Sequence, residues 1–317
     1  MQQQEQQQKR SSGRVLQLNS TVVAGFAGAK SSTFPMQALG LDVDCIYSTQ
    51  HSNHSGYSHV AKSDVPRAVL NKLFDGLVQN NLLQGRYDYF FSGFVADEGF
   101  LHDICDWYKQ IKATNPRVRW FCDTVIGDQD KQGNQIFYCP RELVPLYREY
   151  VLPLADVITP NQLELELLSD TKISTRQEAI DAMKVLHDRG VEVFFLTSVR
   201  TEYGSEMLVS SMENGSEQQV FHASFDESPH HFTGTGDCMM GLLLGNMFQE
   251  PDDAALAASR ALSSMQAIVK RTVDSLPTGE KNIQNESAHG GKDIELKIIQ
   301  SVTDIVQAPS THSFVRI

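Results

Sequence analysis

From Arg14 onward, short runs of β-branched and aromatic residues alternate with longer stretches whose apolar positions recur at helical spacing. The runs 14–20 (RVLQLNS), 42–48 (DVDCIYS), 87–93 (YDYFFSG), 118–123 (VRWFCD), 155–159 (ADVIT) and 191–198 (VEVFFLTS) read as strands. The stretches 31–40, 63–81, 96–113, 141–151, 175–190 and 252–273 read as helices, the first closed by Gly40 and the fifth by Gly190. A polar, hairpin-like region follows the last strand, and the apolar run from Cys238 to Met247 adds a helix packed on a core. Such alternation predicts an α/β fold with a parallel sheet covered by helices on both faces.

No internal repeat or composition break interrupts this order, so residues 14–317 are expected to form one domain. Residues 1–13 (MQQQEQQQKRSSG) are polar and low in complexity, lack the apolar core of a secretory signal, and are expected to be disordered. Residues 274–292 are polar and carry Gly and Pro, and 278–292 are expected to be a mobile loop. The C-terminal FVRI matches no recognised address.

Apolar residues make up 41% of the chain, enough for a sizeable core, and no stretch approaches the length of a membrane span. The 27 Lys and Arg stand against 39 Asp and Glu, for a net charge of −12. With no basic run, neither a nucleic-acid nor a membrane partner is expected. A phosphate would have to be met locally, by backbone N–H groups and a metal. The five cysteines are scattered and never spaced as C-x-x-C, which points to reduced thiols in a cytoplasmic protein.

In a parallel sheet, ligands gather at the carboxyl ends of the strands. The segments there are rich in hydroxyls, amides and carboxylates: Asn19 and Ser20, 48–57, 92–94, 122–128, 159–164, Thr197 and Ser198, and 233–237. The stretch 24–32 (AGFAGAKSS) imitates a P-loop, but Ala24 and Ala29 stand where glycines must let the backbone wrap a phosphate, and the motif is rejected. A G-x-G-x-x-G dinucleotide fingerprint is also missing after the first strand.

The stretch 233–237 (TGTGD) carries the strongest signal. Backbone N–H groups at a helix N-terminus attract an anion by geometry and dipole together, and Gly234 and Gly236 would let a phosphate approach. Asp237 is either a first-turn or capping acid, or a functional carboxylate. Asn161-x-x-Glu164 is equally a capping box or an amide and carboxylate holding Mg²⁺ through water. Asp123 and Asp128 are solvated acids or cation partners, and His54, Ser55 and Tyr57 are structural or suit a small heteroaromatic ligand. The Met and Leu stripe after Asp237 reads as core.

Taken in order, TFPMQALG, SNHSGY, CDTVIGD, LADVITPNQLELELL and GTGD resemble the pyridoxal kinases of the ribokinase-like superfamily, over nearly the whole chain from Arg14. GTGD alone would mark only the superfamily. The resemblance implies a three-layer α/β sandwich, a homodimer, and transfer of the ATP γ-phosphate to the 5′-hydroxymethyl group of pyridoxal, pyridoxine or pyridoxamine. It implies ATP and Mg²⁺ or another divalent cation, and leaves open a monovalent cation such as K⁺.

By the same resemblance, Asp237 would be the general base and Gly234, Thr235 and Gly236 the anion hole. Ser20 would bond the pyridine ring, assisted by Ser55, with His54 beside it; Tyr57 receives no role. Asp123, Asp128, Asn161 and Glu164 would handle phosphates and cations, with Asp123, Asp128 and Glu164 on the metal. Thr159, Thr197 and Ser198 would line the nucleotide side, and residues 127–138, ending at Tyr138, resemble a flap over it. Three positions depart from the family: Phe94 where tyrosine is frequent, Ser55 where threonine is common, and Thr124 where proline is usual. These bear on vitamer preference. The competing readings are a hydroxymethylpyrimidine kinase of the same fold and a non-catalytic vitamer- or nucleotide-binding protein.

Overall fold

Val15, Leu16 and Leu18 are all buried in β1 (Gly13–Val22), so this strand has no solvated face. It is an interior strand, next to one edge, of a sheet in a computed structural model that describes residues 12–129, 133–213, 217–228, 230–277, 295–309 and 311–317. The sheet has nine strands in the order β11-β10-β9-β8-β7-β4-β3-β1-β2. Here β2 is Leu41–His51, β3 Tyr89–Ser92, β4 Arg119–Cys122, β7 Val157–Ile158, β8 Val193–Thr201, β9 Gly204–Glu213, β10 Glu217–Ser224 and β11 Val315–Arg316. From β2 to β8 every neighbouring pair is parallel, and β8 to β11 pair antiparallel. The mostly parallel sheet therefore agrees with the sequence expectation, and the polar region after β8 is the β9–β10 hairpin.

Two apolar cores follow from side chains alternating across the strands. Leu16, Phe90, Trp120 and Phe194 face one core, closed by Phe74 of α2 (Arg67–Gln79), Ile104 of α3 (Glu98–Thr114), Leu165 of α5 (Gln162–Ser169) and Met183 of α6 (Arg176–His187). Their sequence neighbours Val15, Phe91, Phe121 and Phe195 face the other, closed by Met36 of α1 (Ala29–Ala38), Leu243 of α7 (Thr235–Gln249) and Ala261 of α8 (Ala254–Asp274). Helices on both faces make the three layers.

Several boundaries move for local reasons. Helix α2 starts at Arg67 rather than at 63, because Pro66 favours extended backbone before it and residues 63–65 instead pair alongside β2. The stretch 141–151 divides into α4 (Leu143–Leu146) and a π-helical turn, Tyr147–Val151. Gly13, placed in the tail by composition, is already in β1 opposite Leu41. Residues 1–11 of that tail and the expected loop 278–292 lie outside the described residues. No helix among the described residues is long and apolar enough to cross a membrane.

The most consequential shift is in α7. It begins at Thr235, not Cys238, so Thr235, Gly236 and Asp237 form its first turn and Gly234 is the N-cap.

Candidate active site

The parallel strands bring the polar segments to one edge of the sheet, and two irregularities in pairing fall on candidate residues. The β1–β2 register breaks between Asn19 and Thr21, at Ser20. The β8–β9 register breaks between Leu196 and Val199, at Thr197 and Ser198. Both pairs had been expected at the carboxyl ends of their strands; the strands continue to Val22 and Thr201, and the register breaks leave Ser20, Thr197 and Ser198 out of these ladders while Asn19 stays opposite Tyr47.

Gly234 adopts φ +83°, and a Cβ there would lie 2.4 Å from the Phe26 carbonyl oxygen. No side chain caps α7, and the space beside Gly236 is open to 4 Å. The first N–H groups of the helix are thus left without a side-chain cap beside open space at Gly236, as an anion site requires.

Asp237 does not cap its own helix. Its Oδ2 accepts the Gly28 N–H at 2.8 Å and its Oδ1 accepts from Asn19 Nδ2 at 3.1 Å. Burial pushes the Asp237 carboxyl above its ordinary range, while these two donors pull it back. Asn19 is itself fixed: its Oδ1 accepts from the Ser20 N–H at 2.8 Å and the Phe94 N–H at 3.2 Å. Gly93 permits this, since a Cβ there would lie 2.5 Å from the Asn19 amide. Gly28 has φ +58°, and a Cβ would lie 2.2 Å from the Ser20 carbonyl oxygen. Ser20, Phe94, Asn19 and Gly28 therefore meet around Asp237. Asn19 and Gly28 received no role from the sequence. Gly28 sits inside the rejected P-loop imitation, where a phosphate-binding template tests it for the wrong task.

His54 is buried, with Nδ1 accepting the Gly56 N–H at 3.1 Å, whereas Ser55 is exposed. His54 and Tyr57 pack ring to ring with centroids 4.8 Å apart.

On the other side of α7, Glu164 is a clamp. The capping box is formed, with Asn161 Oδ1 accepting the Glu164 N–H and Glu164 Oε2 accepting the Asn161 N–H at 3.1 Å. Glu164 also accepts from Thr124 Oγ1 at 2.7 Å and from the N–H groups of Ile126 and Gly127 at 2.7 and 3.3 Å. These bonds hold a turn in which Val125, a β-branched residue, has φ +39°. Thr124, which departs from the family's usual proline, supplies one of them. Burial raises the Glu164 carboxyl to about 7 against these donors. Asn161 Nδ2 donates to the Gly127 carbonyl at 2.7 Å, so its amide also secures this loop.

Asp123 is buried and driven well above the usual carboxylate range, first by burial and then by the facing Asp237 and Glu164 carboxylates. Thr159 Oγ1 lies 3.4 Å from Asp123 Oδ1. Asp128 is half-buried in the small hairpin of β5 (Gly127–Gln129) and β6 (Gln135–Phe137), raised by burial and opposed by the Gln129 N–H, His231 and Arg200. Tyr138 follows that hairpin and is 44% exposed; residues 130–132 of the expected flap lie outside the described residues. Among the described residues, no three His, Cys, Asp or Glu side chains are arranged to hold a metal. Yet a buried carboxylate such as Asp123, raised further by the facing Asp237 and Glu164, suits a hydrated divalent ion whose remaining ligands are water and phosphate oxygen.

The pfkB family carbohydrate kinase model matches residues 117–279. Pyridoxal kinase of Bos taurus is 36% identical over 305 residues, covering 92% of this chain and 95% of that protein. The Arabidopsis thaliana pyridoxal kinase is 37% identical over 295 residues, with coverages of 92% and 91%. The chain belongs to the pyridoxal kinase family. The solved pyridoxal kinase of Leishmania donovani, in complex with ADP and pyridoxamine, superposes with a TM-score of 0.84 at 26% identity, covering 96% of this chain and 99% of that one. Within the pyridoxal kinase family the fold extends over both halves of the site described above, from Ser20 on β1 to Asp237 on α7.

Proposed function

We propose that this chain transfers the γ-phosphoryl group of ATP to the 5′-hydroxymethyl group of pyridoxal, pyridoxine and pyridoxamine. The observation that carries the reading is Asp237, held by Gly28 and Asn19 beside the uncapped first turn of α7. Each oxygen of the carboxylate keeps a lone pair for a further donor. The attacking hydroxyl would give its proton to Asp237 as the O–P bond forms and ADP leaves. Such general-base help is typically worth about 10²–10⁴-fold. The Gly234, Thr235 and Gly236 N–H groups would meet the transferring phosphoryl oxygens, because phosphoryl transfer depends mainly on positioning and on neutralising charge.

Ser20, His54, Ser55 and Phe94 would surround the heterocycle, while Thr159, Asn161, Thr197, Ser198, Asp128 and Tyr138 would face the nucleotide. Asp123 and Asp128 would hold Mg²⁺ through water, neutralising charge on the phosphates. Glu164 would serve that site through the turn it clamps, since four protein donors already engage its oxygens. A monovalent cation beside the phosphates, a homodimeric state and a cytoplasmic location belong to the same reading.

The test is formation of pyridoxal 5′-phosphate from ATP and pyridoxal with Mg²⁺. A substrate panel that includes hydroxymethylpyrimidine decides the heterocycle, and preference for the pyrimidine would overturn the substrate assignment. Vitamer binding without turnover would instead mark a binding protein.

A further inference from the structure

Glu295 is far in sequence from every candidate site residue, yet its carboxylate joins two loops beside Ser20. Its Oε2 accepts the Phe26 N–H at 2.8 Å, and its Oε1 accepts from the Tyr57 hydroxyl at 2.9 Å. His54 Nε2 lies 3.1 Å from Oε1, with poor hydrogen-bond alignment. Because His54 Nδ1 accepts from Gly56, the Nε2 position carries the ring's proton and faces Glu295. Burial alone would raise the Glu295 carboxyl, but His54, the Phe26 N–H and Tyr57 together hold it below its ordinary range.

This acid is not a loose surface group. The next residues, Leu296 and Ile298, are buried in the core under α7 and α8, and the Lys297 N–H donates to Thr272 Oγ1 at 3.1 Å. Gly25 makes room for the carboxylate: it has φ +82°, and a Cβ there would lie 1.9 Å from Glu295 Oε1.

Both loops end at the site. Phe26, bound by Glu295, is two residues from Gly28, whose N–H is bound by Asp237. The other loop carries His54 and Ser55, and at Gly56 it comes close to Thr233, directly before Gly234; a Cβ on Gly56 would lie 3.1 Å from Thr233 Oγ1. Candidate nucleotide residues are elsewhere, on β5, α5 and β8, toward the other side of the sheet.

We propose that Glu295 is a positioning residue of the vitamer pocket, tying the 24–28 loop to the 54–57 loop so that Ser20, His54 and Ser55 hold one arrangement around the ring. This assignment rests on the reading of the site as a pyridoxal kinase. The expected signature is selective: vitamer affinity depends on Glu295 and ATP affinity does not.

The experiment compares wild type with Glu295→Ala, Glu295→Gln and Tyr57→Phe, measuring KM for pyridoxal and for ATP, Tm, and the ¹⁵N resonances of the His54 imidazole. Glu295→Ala should raise the pyridoxal KM about 10-fold and leave the ATP KM within about twofold, the loss of charge-assisted bonds falling on one substrate. Glu295→Gln, which keeps one acceptor oxygen, and Tyr57→Phe should give smaller shifts in the same direction. Both Glu295 variants should shift the His54 resonances. If the alanine variant does not fold, the glutamine and phenylalanine variants decide alone. A parallel rise of both KM values, an unchanged pyridoxal KM, or unmoved His54 resonances would overturn the assignment. A wild-type protein that phosphorylates no vitamer overturns the kinase reading instead, and the His54 resonances still report on the contact.

Discussion

The side-chain amide of Asn19 donates to Asp237 Oδ1 at 3.1 Å, joining the first strand to a helix 218 residues later. The bond favours the ionised form of the carboxylate against burial, which pushes the other way. Asn19→Ala removes a stabiliser of the charged base, so the Asp237 pKa should rise. The acidic limb of the kcat–pH profile should then move to higher pH, with a lower plateau. An unshifted limb would show that another group controls it.

Asp237→Asn keeps the shape of the side chain and removes the base. Turnover should fall by about 10²–10⁴-fold. Calorimetric ATP binding should persist, because the anion site uses the backbone of α7. Full turnover in a folded variant would remove Asp237 from the chemistry.

The two glycines of the proposed anion site should respond differently to alanine. At Gly234 a Cβ lies 2.4 Å from backbone oxygen and φ is +83°, so Gly234→Ala should lower Tm as well as activity. Beside Gly236 nothing lies within 4 Å, so Gly236→Ala should fold normally and lose activity by filling the phosphate space. Thermal unfolding together with ATP KM separates the two. Equal Tm losses would place Gly236 among the structural glycines.

Glu164 should make stability depend on pH with an unusual sign. Its carboxyl titrates at about 7 when folded against 4.5 unfolded, so the folded chain binds the extra proton between those values. Its share of stability, about 3 kcal/mol, is therefore present below pH 4.5 and lost as pH rises toward 7. Glu164→Gln should flatten the slope of Tm across that window. Glu164→Ala should cost roughly 3 kcal/mol at acid pH, since it strands the buried donors of the 124–127 turn. An unchanged slope in the glutamine variant would show that other groups set the pH dependence.

Much of this was legible in the chain. The alternation of strand and helix stretches fixes the layered sheet, because side chains in a doubly covered strand must be apolar on both faces, as Phe90 and Phe91 are. The Asn161–Glu164 spacing announces a capping box, and the box is formed. TGTGD marks a helix start, and Gly234 supplies the N-cap while the space beside Gly236 is open. In each case a local interaction within a few residues controls the outcome.

What the sequence could not display is which distant groups meet. Glu164 read as a capping acid or a cation partner, and only the fold set Thr124, Ile126 and Gly127 against it. Gly28 looked like part of a failed phosphate loop, and Glu295 drew no reading from the sequence. The chain by itself determined the elements, the sheet and the type of helix start, since these follow from periodicity and backbone preference. Only the tertiary structure decided that Asn19 and Gly28 hold Asp237 and that Glu295 gathers Phe26, His54 and Tyr57. Those bonds span the chain, and hydrogen-bond geometry over such separations is set by packing the layers together, which no local pattern encodes.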